Sequence, residues 1–191
     1  MSFKTLALAC VLLAFTSLSA TAQETKCTLK IAQLTGAPEL RGFRLGMTME
    51  QFKARVPQVP IHPADEFGFT AVNIYPEHND NVDRASLEGV RTISLEFLDG
   101  RVAMLWIGYA PGFKWKSIEE FLGGMTRALA LPDAWQTRQR GRQLSCEDFQ
   151  VTVSSIGGNP SIRFVDQPAQ QTLEERKAAK EEAAEPQPTP Q

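Results

Sequence analysis

The stretch VRTISLEFL (90–98), DG (99–100), RVAMLWIGY (101–109) decides the fold. From Val90 to Leu98, Ile93, Leu95 and Phe97 fall on one side of an extended chain, and Ser94 and Glu96 on the other. That period of two is the signature of a half-buried strand. Asp99-Gly100 is a favoured two-residue hairpin turn, because both residues tolerate positive φ. Val102 to Tyr109 then returns, apolar on both faces, as a strand buried on both sides would be. The pattern predicts an antiparallel hairpin, the strongest signal in the chain.

Outward from the hairpin the elements alternate. Pro111-Gly112 closes the second strand, and Ser117 caps a helix with Glu120 placed to complete a capping box. Ile118, Phe121, Leu122, Met125 and Leu129 form one apolar stripe at helical spacing, and Pro132 ends it. Upstream, Thr48 and Gln51 make a second capping box, with Met47 placed to staple onto Phe52; Pro57 and Pro60 stop that helix. Residues 26–34 and 67–75 read as strands, 76–89 as a polar loop, 144–154 as one strand and 161–166 as the last. The predicted order is strand, helix, three strands, helix, two strands. This is an α+β fold: a mainly antiparallel sheet with two helices packed on one face.

Thr48-Met49-Glu50-Gln51-Phe52 matches Ser117-Ile118-Glu119-Glu120-Phe121 position by position, which is compatible with a tandem helix-plus-strands repeat. Two capping boxes arising independently from the same physics would look the same.

Residues 1–22 have the layout of a secretory signal peptide: Lys4, an apolar run from Leu6 to Leu18, and Ala20-Thr21-Ala22 as the cleavage site. The expected domain spans 23–166. Residues 167–191 form a charged, Ala-rich tail ending in PQPTPQ, read as disordered or as a solvated helix. The chain carries 20 basic and 22 acidic residues; removal of Lys4 with the signal leaves 19 against 22, a net charge of −3. That balance argues against nucleic-acid binding. Cys10 leaves with the signal, so Cys27 and Cys146 remain, and in an exported chain they are expected to form one disulfide. No transmembrane segment is expected, and the mature protein is assigned to the periplasm or the medium.

The segment Phe43-Arg44-Leu45-Gly46-Met47-Thr48-Met49-Glu50-Gln51-Phe52, a Gly-Met-Thr turn into a short capped helix, resembles the small bacterial envelope proteins of the SmpA/OmlA (BamE-like) family. Tandem copies of such a unit resemble the β-lactamase-inhibitor-protein fold. The resemblance implies a non-catalytic module that binds other proteins in the periplasm. The chain lacks the family's lipid-anchor cysteine and is longer. The same Phe-Arg-Leu-Gly-Met-Thr entry is similar to uncharacterised exported bacterial proteins, a likeness that implies no activity.

No catalytic signature is present: there is no G-x-S-x-G elbow, phosphate loop or dinucleotide fingerprint. His62 and His78 stand alone in loops without further ligands at metal-site spacing, and no cofactor is expected. The oxygen-rich Glu77 to Asp83 stretch lacks the glycine that a calcium loop requires at its sixth position. Asn159-Pro160-Ser161 is blocked as a glycosylation site by its proline. Asp65-Glu66 and Glu147-Asp148 are the paired carboxylates a hidden hydrolase would use, although adjacent acids on loops or strand edges are ordinary surface.

Two groups are candidates for partner binding. Tyr109, Phe113 and Trp115 sit at the strand-to-helix junction and either project as an apolar anchor or cover the end of the core. Arg138, Arg140 and Arg142 alternate in QTRQRGRQ; on one extended segment they would make a one-sided guanidinium row. Such a row grips phosphate, an anionic lipid headgroup or an acidic partner, or simply charges a hairpin edge against strand addition. The reading is an exported binding module contacting a protein or envelope component. Its alternatives are a peripheral anionic-lipid binder and a secreted hydrolase with a carboxylate site.

Overall fold

The computed structural model describes residues 26–34, 36–79, 82–112, 114–139 and 141–184. The expected signal peptide, Phe113 and Arg140 lie outside the described residues. The elements are helix α1 (Met49–Arg55), strands β1 (Phe69–Ile74), β2 (Val90–Leu98) and β3 (Arg101–Tyr109), helix α2 (Ile118–Ala128), strands β4 (Gln136–Arg138), β5 (Gly141–Ser145), β6 (Phe149–Ile156) and β7 (Asn159–Asp166), and helix α3 (Gln167–Ala184). Two single turns of 3-10 helix precede α1, at Ile31–Gln33 and Pro38–Leu40.

The seven strands form one antiparallel sheet in the order β1-β2-β3-β7-β6-β5-β4. The domain is α+β, as the hairpin predicts. Each half of the chain runs helix, then antiparallel meander, and the last strands of the halves, β3 and β7, pair at the centre. The halves therefore repeat one strand order outward from the β3–β7 pair, with β4 as an addition at the second edge.

Register explains the core. One cross-strand row runs Val72, Leu95, Leu105, Phe164, Val151, Leu144, and every member is buried. The parallel row Ile74, Ile93, Ile107, Ile162, Val153 is buried as well. Both rows face α1 and α2, which contribute Phe52, Phe121 and Met125, each fully buried. Phe52 stacks edge-on against Phe97 with ring centroids 5.4 Å apart, and Phe121 against Tyr109 at 5.4 Å. The Thr48 box is complete: its hydroxyl accepts from the Gln51 N–H and Gln51 Oε1 accepts from the Thr48 N–H. In α2, Ser117 Oγ accepts from the Glu120 N–H, but the Glu120 carboxylate accepts from the Lys116 N–H, one residue ahead of the cap.

Three expectations are corrected, and of the two readings of the tail the helix is the one found over 167–184. Residues 26–34 are not a strand. Their backbone is held to the β5–β6 turn, through Glu147 N–H to Leu29 O at 3.1 Å and Ile31 N–H to Asp148 Oδ1 at 2.8 Å. The Cys27–Cys146 disulfide clamps the same contact, so the predicted bond exists but joins a coil segment to a turn. The single strand expected over 144–154 is broken at 146–148 into β5 and β6, and β4 precedes them unannounced. The β3 strand is not buried on both faces throughout, because Trp106 is half-buried on the side away from α1 and α2. Residues 167–184 are helical, and α3 returns over the β1–β2–β3 end, where Arg176 donates to Phe67 O at 2.6 Å and to both Asp99 oxygens, at 2.9 and 2.8 Å.

Candidate functional site

The outer face of the sheet carries a third continuous row: Asn73, Ser94, Trp106, Arg163, Thr152, Gln143, Gln136, one residue from each strand. Alternation along each strand puts these residues opposite the apolar rows. Six of the seven are hydrogen-bonding side chains, and the indole stands near the middle. Neighbours tie the row together: Ser94 Oγ donates to Asn73 Oδ1 at 2.6 Å, and Arg138 donates to Gln143 Oε1 at 3.1 Å and Gln136 Oε1 at 3.3 Å. A hollow of about 430 Å³ lies around Trp106, Asn73, Glu96, Met104 and Arg163. Gly108 makes room for the indole, since a Cβ there would stand 2.9 Å from the Trp106 ring.

The predicted arginine row is not formed. The chain reverses between β4 and β5, pairing Thr137 with Arg142 and Arg138 with Gly141. Paired residues share a face, so Arg138 joins the outer polar row while Arg142 continues the buried Ile74–Val153 row on the opposite face. Strand alternation on one segment cannot survive a hairpin placed in its middle. Tyr109 and Trp115 do not project. They are 1% and 8% exposed and pack with Phe121 as an edge-to-face aromatic triad, closing the end of the core.

The paired acids all have structural partners. Asp65 Oδ1 accepts from the N–H groups of Phe67 and Phe69, and Glu66 pairs with Lys180. Glu147 pairs with Lys30 at 3.0 Å, and Asp148 holds Ile31. Among the described residues no group of three or more His, Cys, Asp and Glu is placed to hold a metal ion, and no helix is long and apolar enough to cross a membrane.

A second concavity, of about 260 Å³, opens beside the aromatic triad and is lined by Pro38, Glu39, Arg41, Tyr109, Lys114 and Trp115. Tyr109 Oη donates to Glu39 O at 2.9 Å, fixing the 3-10 turn over the core. The phenol is held well above its ordinary range by burial, so it stays protonated and keeps this bond. Lys114 Nζ pairs with Glu39 Oε1 at 2.7 Å and sits 5.5 Å from the Trp115 ring centroid. Burial pushes the Glu39 carboxyl up, but the Lys114 hydrogen bond and the nearby cations outweigh it, and the net direction is down. Its second oxygen, Oε2, is buried without a hydrogen-bond partner.

Sequence reading missed Trp106 and Arg163 as surface residues and missed Glu39 entirely. One signal was available: Gly123-Gly124 inside a helix costs about 1 kcal/mol per glycine relative to alanine, and such a pair asks for a packing reason. At Gly124 that reason is Trp115, whose Nε1 would lie 2.8 Å from a Cβ there.

Neither a protein-family model nor a curated protein matches the sequence. Among solved structures, the chain is similar to a cysteine-rich secretory protein from Staphylococcus aureus subsp. aureus Mu50, at 7% identity and a TM-score of 0.43 over 75% of this chain. The match spans about half of that protein's length, 49%.

Proposed function

We propose that this protein is an exported, non-catalytic binding module of the bacterial envelope that docks a protein partner on the outer face of its sheet. The observation that carries this reading is the polar row across all seven strands with Trp106 and Arg163 adjacent at its centre. Tryptophan and arginine are the side chains most often found as energetic anchors of protein interfaces, and a rim of hydrogen-bonding groups supplies register. The Cys27–Cys146 bond fits export, because disulfides persist in oxidising compartments. The entry helix at Thr48 and the paired halves fit the envelope-module resemblance.

The test is a crosslinked pull-down of tagged mature protein from its native envelope, read by mass spectrometry beside Trp106→Ala and Arg163→Ala. One dominant protein captured by the wild type and lost from both variants supports the reading. Capture that is equal in all three, or no specific capture, refutes it. Arg163 is exposed and Trp106 half-buried on the outer face, so both variants retain the core.

A further inference from the structure

The cleft at Glu39 is independent of the outer sheet face. Its features share one explanation. A carboxylate is sunk at the edge of an aromatic wall, only 14% of its side chain exposed. One of its oxygens holds an ammonium that comes from the outside: Lys114, whose side chain is 54% exposed. The other oxygen is buried and unpartnered, a costly state that calls for a ligand or a role. The lysine also lies near the Trp115 ring, completing a cation site of one carboxylate and one indole.

We infer that this cleft is a binding site for a guanidinium group, shut in the free protein by Lys114 acting as an internal ligand. An ammonium makes a point contact and here reaches only Oε1. A planar guanidinium presents two parallel N–H donors that match both carboxylate oxygens, and it stacks on an indole face. The exchange swaps one cation for another, so the cleft's charge balance with Arg41 and Arg127 is unchanged when Lys114 swings out. A second hollow of about 440 Å³, sharing Glu39, Lys114 and Trp115 and running along α2 past Gly124, leaves room for the rest of the ligand.

The probe is agmatine, titrated into mature protein while the indole N–H resonance of Trp115 is followed by NMR. A blocked Gly-Arg-Gly tripeptide is titrated in parallel, with inorganic phosphate as the anionic control. Saturable movement of the Trp115 resonance with agmatine is expected. Lys114→Ala removes the internal competitor and tightens binding roughly two- to fivefold, the range of a partly exposed ion pair. Glu39→Gln, checked for an unchanged melting temperature, weakens it at least about tenfold. Tripeptide binding as tight as agmatine assigns the site to an arginine side chain of a peptide or protein; agmatine alone, with no response to butylamine, assigns it to a small free guanidine, and an equal response to butylamine overturns the inference. No saturable shift in either wild type or Lys114→Ala overturns the inference. So does an agmatine response that survives Glu39→Gln, or saturation by phosphate instead.

Discussion

Phe52 and Phe121 occupy the same position in the two halves of the molecule, each four residues after its helix cap, Thr48 or Ser117, and each with no exposed surface. They pack against different strands: Phe52 on Phe97 of β2, Phe121 on Tyr109 at the end of β3. Because β3 and β7 join the halves into one sheet, neither phenyl serves a separable unit. Phe52→Ala and Phe121→Ala should each lower stability by about 3–5 kcal/mol, the usual cost of emptying a phenyl-sized site. Urea unfolding should remain a single transition in both, followed by circular dichroism and tryptophan fluorescence. Two separated transitions would mean that the halves are independent domains.

The Cys27–Cys146 bond closes a loop with a sequence separation of 119. In the chain-entropy model such a closure removes about 5 kcal/mol of denatured-state freedom. Reduction, or the Cys27→Ser, Cys146→Ser double substitution, should lower the urea midpoint accordingly. Residues 26–34 should become the first part of the chain to gain amide exchange, since the bond clamps them to the β5–β6 turn. Unchanged exchange there would show that Leu29 and Ile31 hold the segment by backbone bonds alone.

The legible part of this fold is the part governed by neighbours in sequence. Alternation in 90–98, the Asp99-Gly100 turn and the two hydroxyl caps depend on adjacent residues, and each lies where the pattern places it. The β4–β5 hairpin was illegible because QTRQRGRQ carries no apolar alternation; its pairing is decided by β6, which receives Arg142 opposite Val153. The orientation of β3 was equally hidden, because Met104 and Trp106 on one face are as apolar as Leu105 and Ile107 on the other. Only the sheet's partners say which face meets the helices. Glu39 and Lys114 stand 75 residues apart, and no local rule joins them.

Gly141 marks the price of that hidden hairpin. A Cβ there would lie 2.0 Å from Val153 O and 3.0 Å from the Ser154 Cα, both backbone atoms of the neighbouring strand. Gly141→Ala therefore has to part β5 from β6 at their upper end, with an expected cost of about 1–3 kcal/mol from overpacking. Thermal melts would read the loss, and amide exchange in β4 and β5 should rise more than in β2 and β3. A variant as stable as wild type would show that the hairpin shifts without penalty.

The Asp99–Arg176 pair gives the docking of α3 an acid-dependent component. The α3 helix is Ala-rich and mostly solvated, and only Leu173 among its described residues is buried. A lone helix of that kind is marginal in water, so its order depends on docking. Arg176 docks it through two bonds to Asp99 and one to Phe67 O, beside a more exposed ion pair from Lys180 to Glu66. The hydrogen bond from Arg176 holds the Asp99 carboxyl below its ordinary value of 3.8 in the folded state. A depressed carboxyl contributes stability above its unfolded value and loses it as the pH falls through the folded value. Docking should thus be intact at neutral pH, weaken only below about pH 3.8 and fail further down, with high salt acting in the same direction because both groups are solvent-screened. Limited proteolysis of α3, or its amide exchange, reads this directly. Arg176→Ala should give fast cleavage of α3 at neutral pH, with a melting temperature of the sheet little changed. Asp99→Asn should remove the Asp99 share of the acid-dependent step while leaving the Phe67 contact and the Lys180–Glu66 pair. Should α3 stay protected in Arg176→Ala, its anchor would be Leu173 with the Lys180–Glu66 pair rather than the Asp99–Arg176 pair.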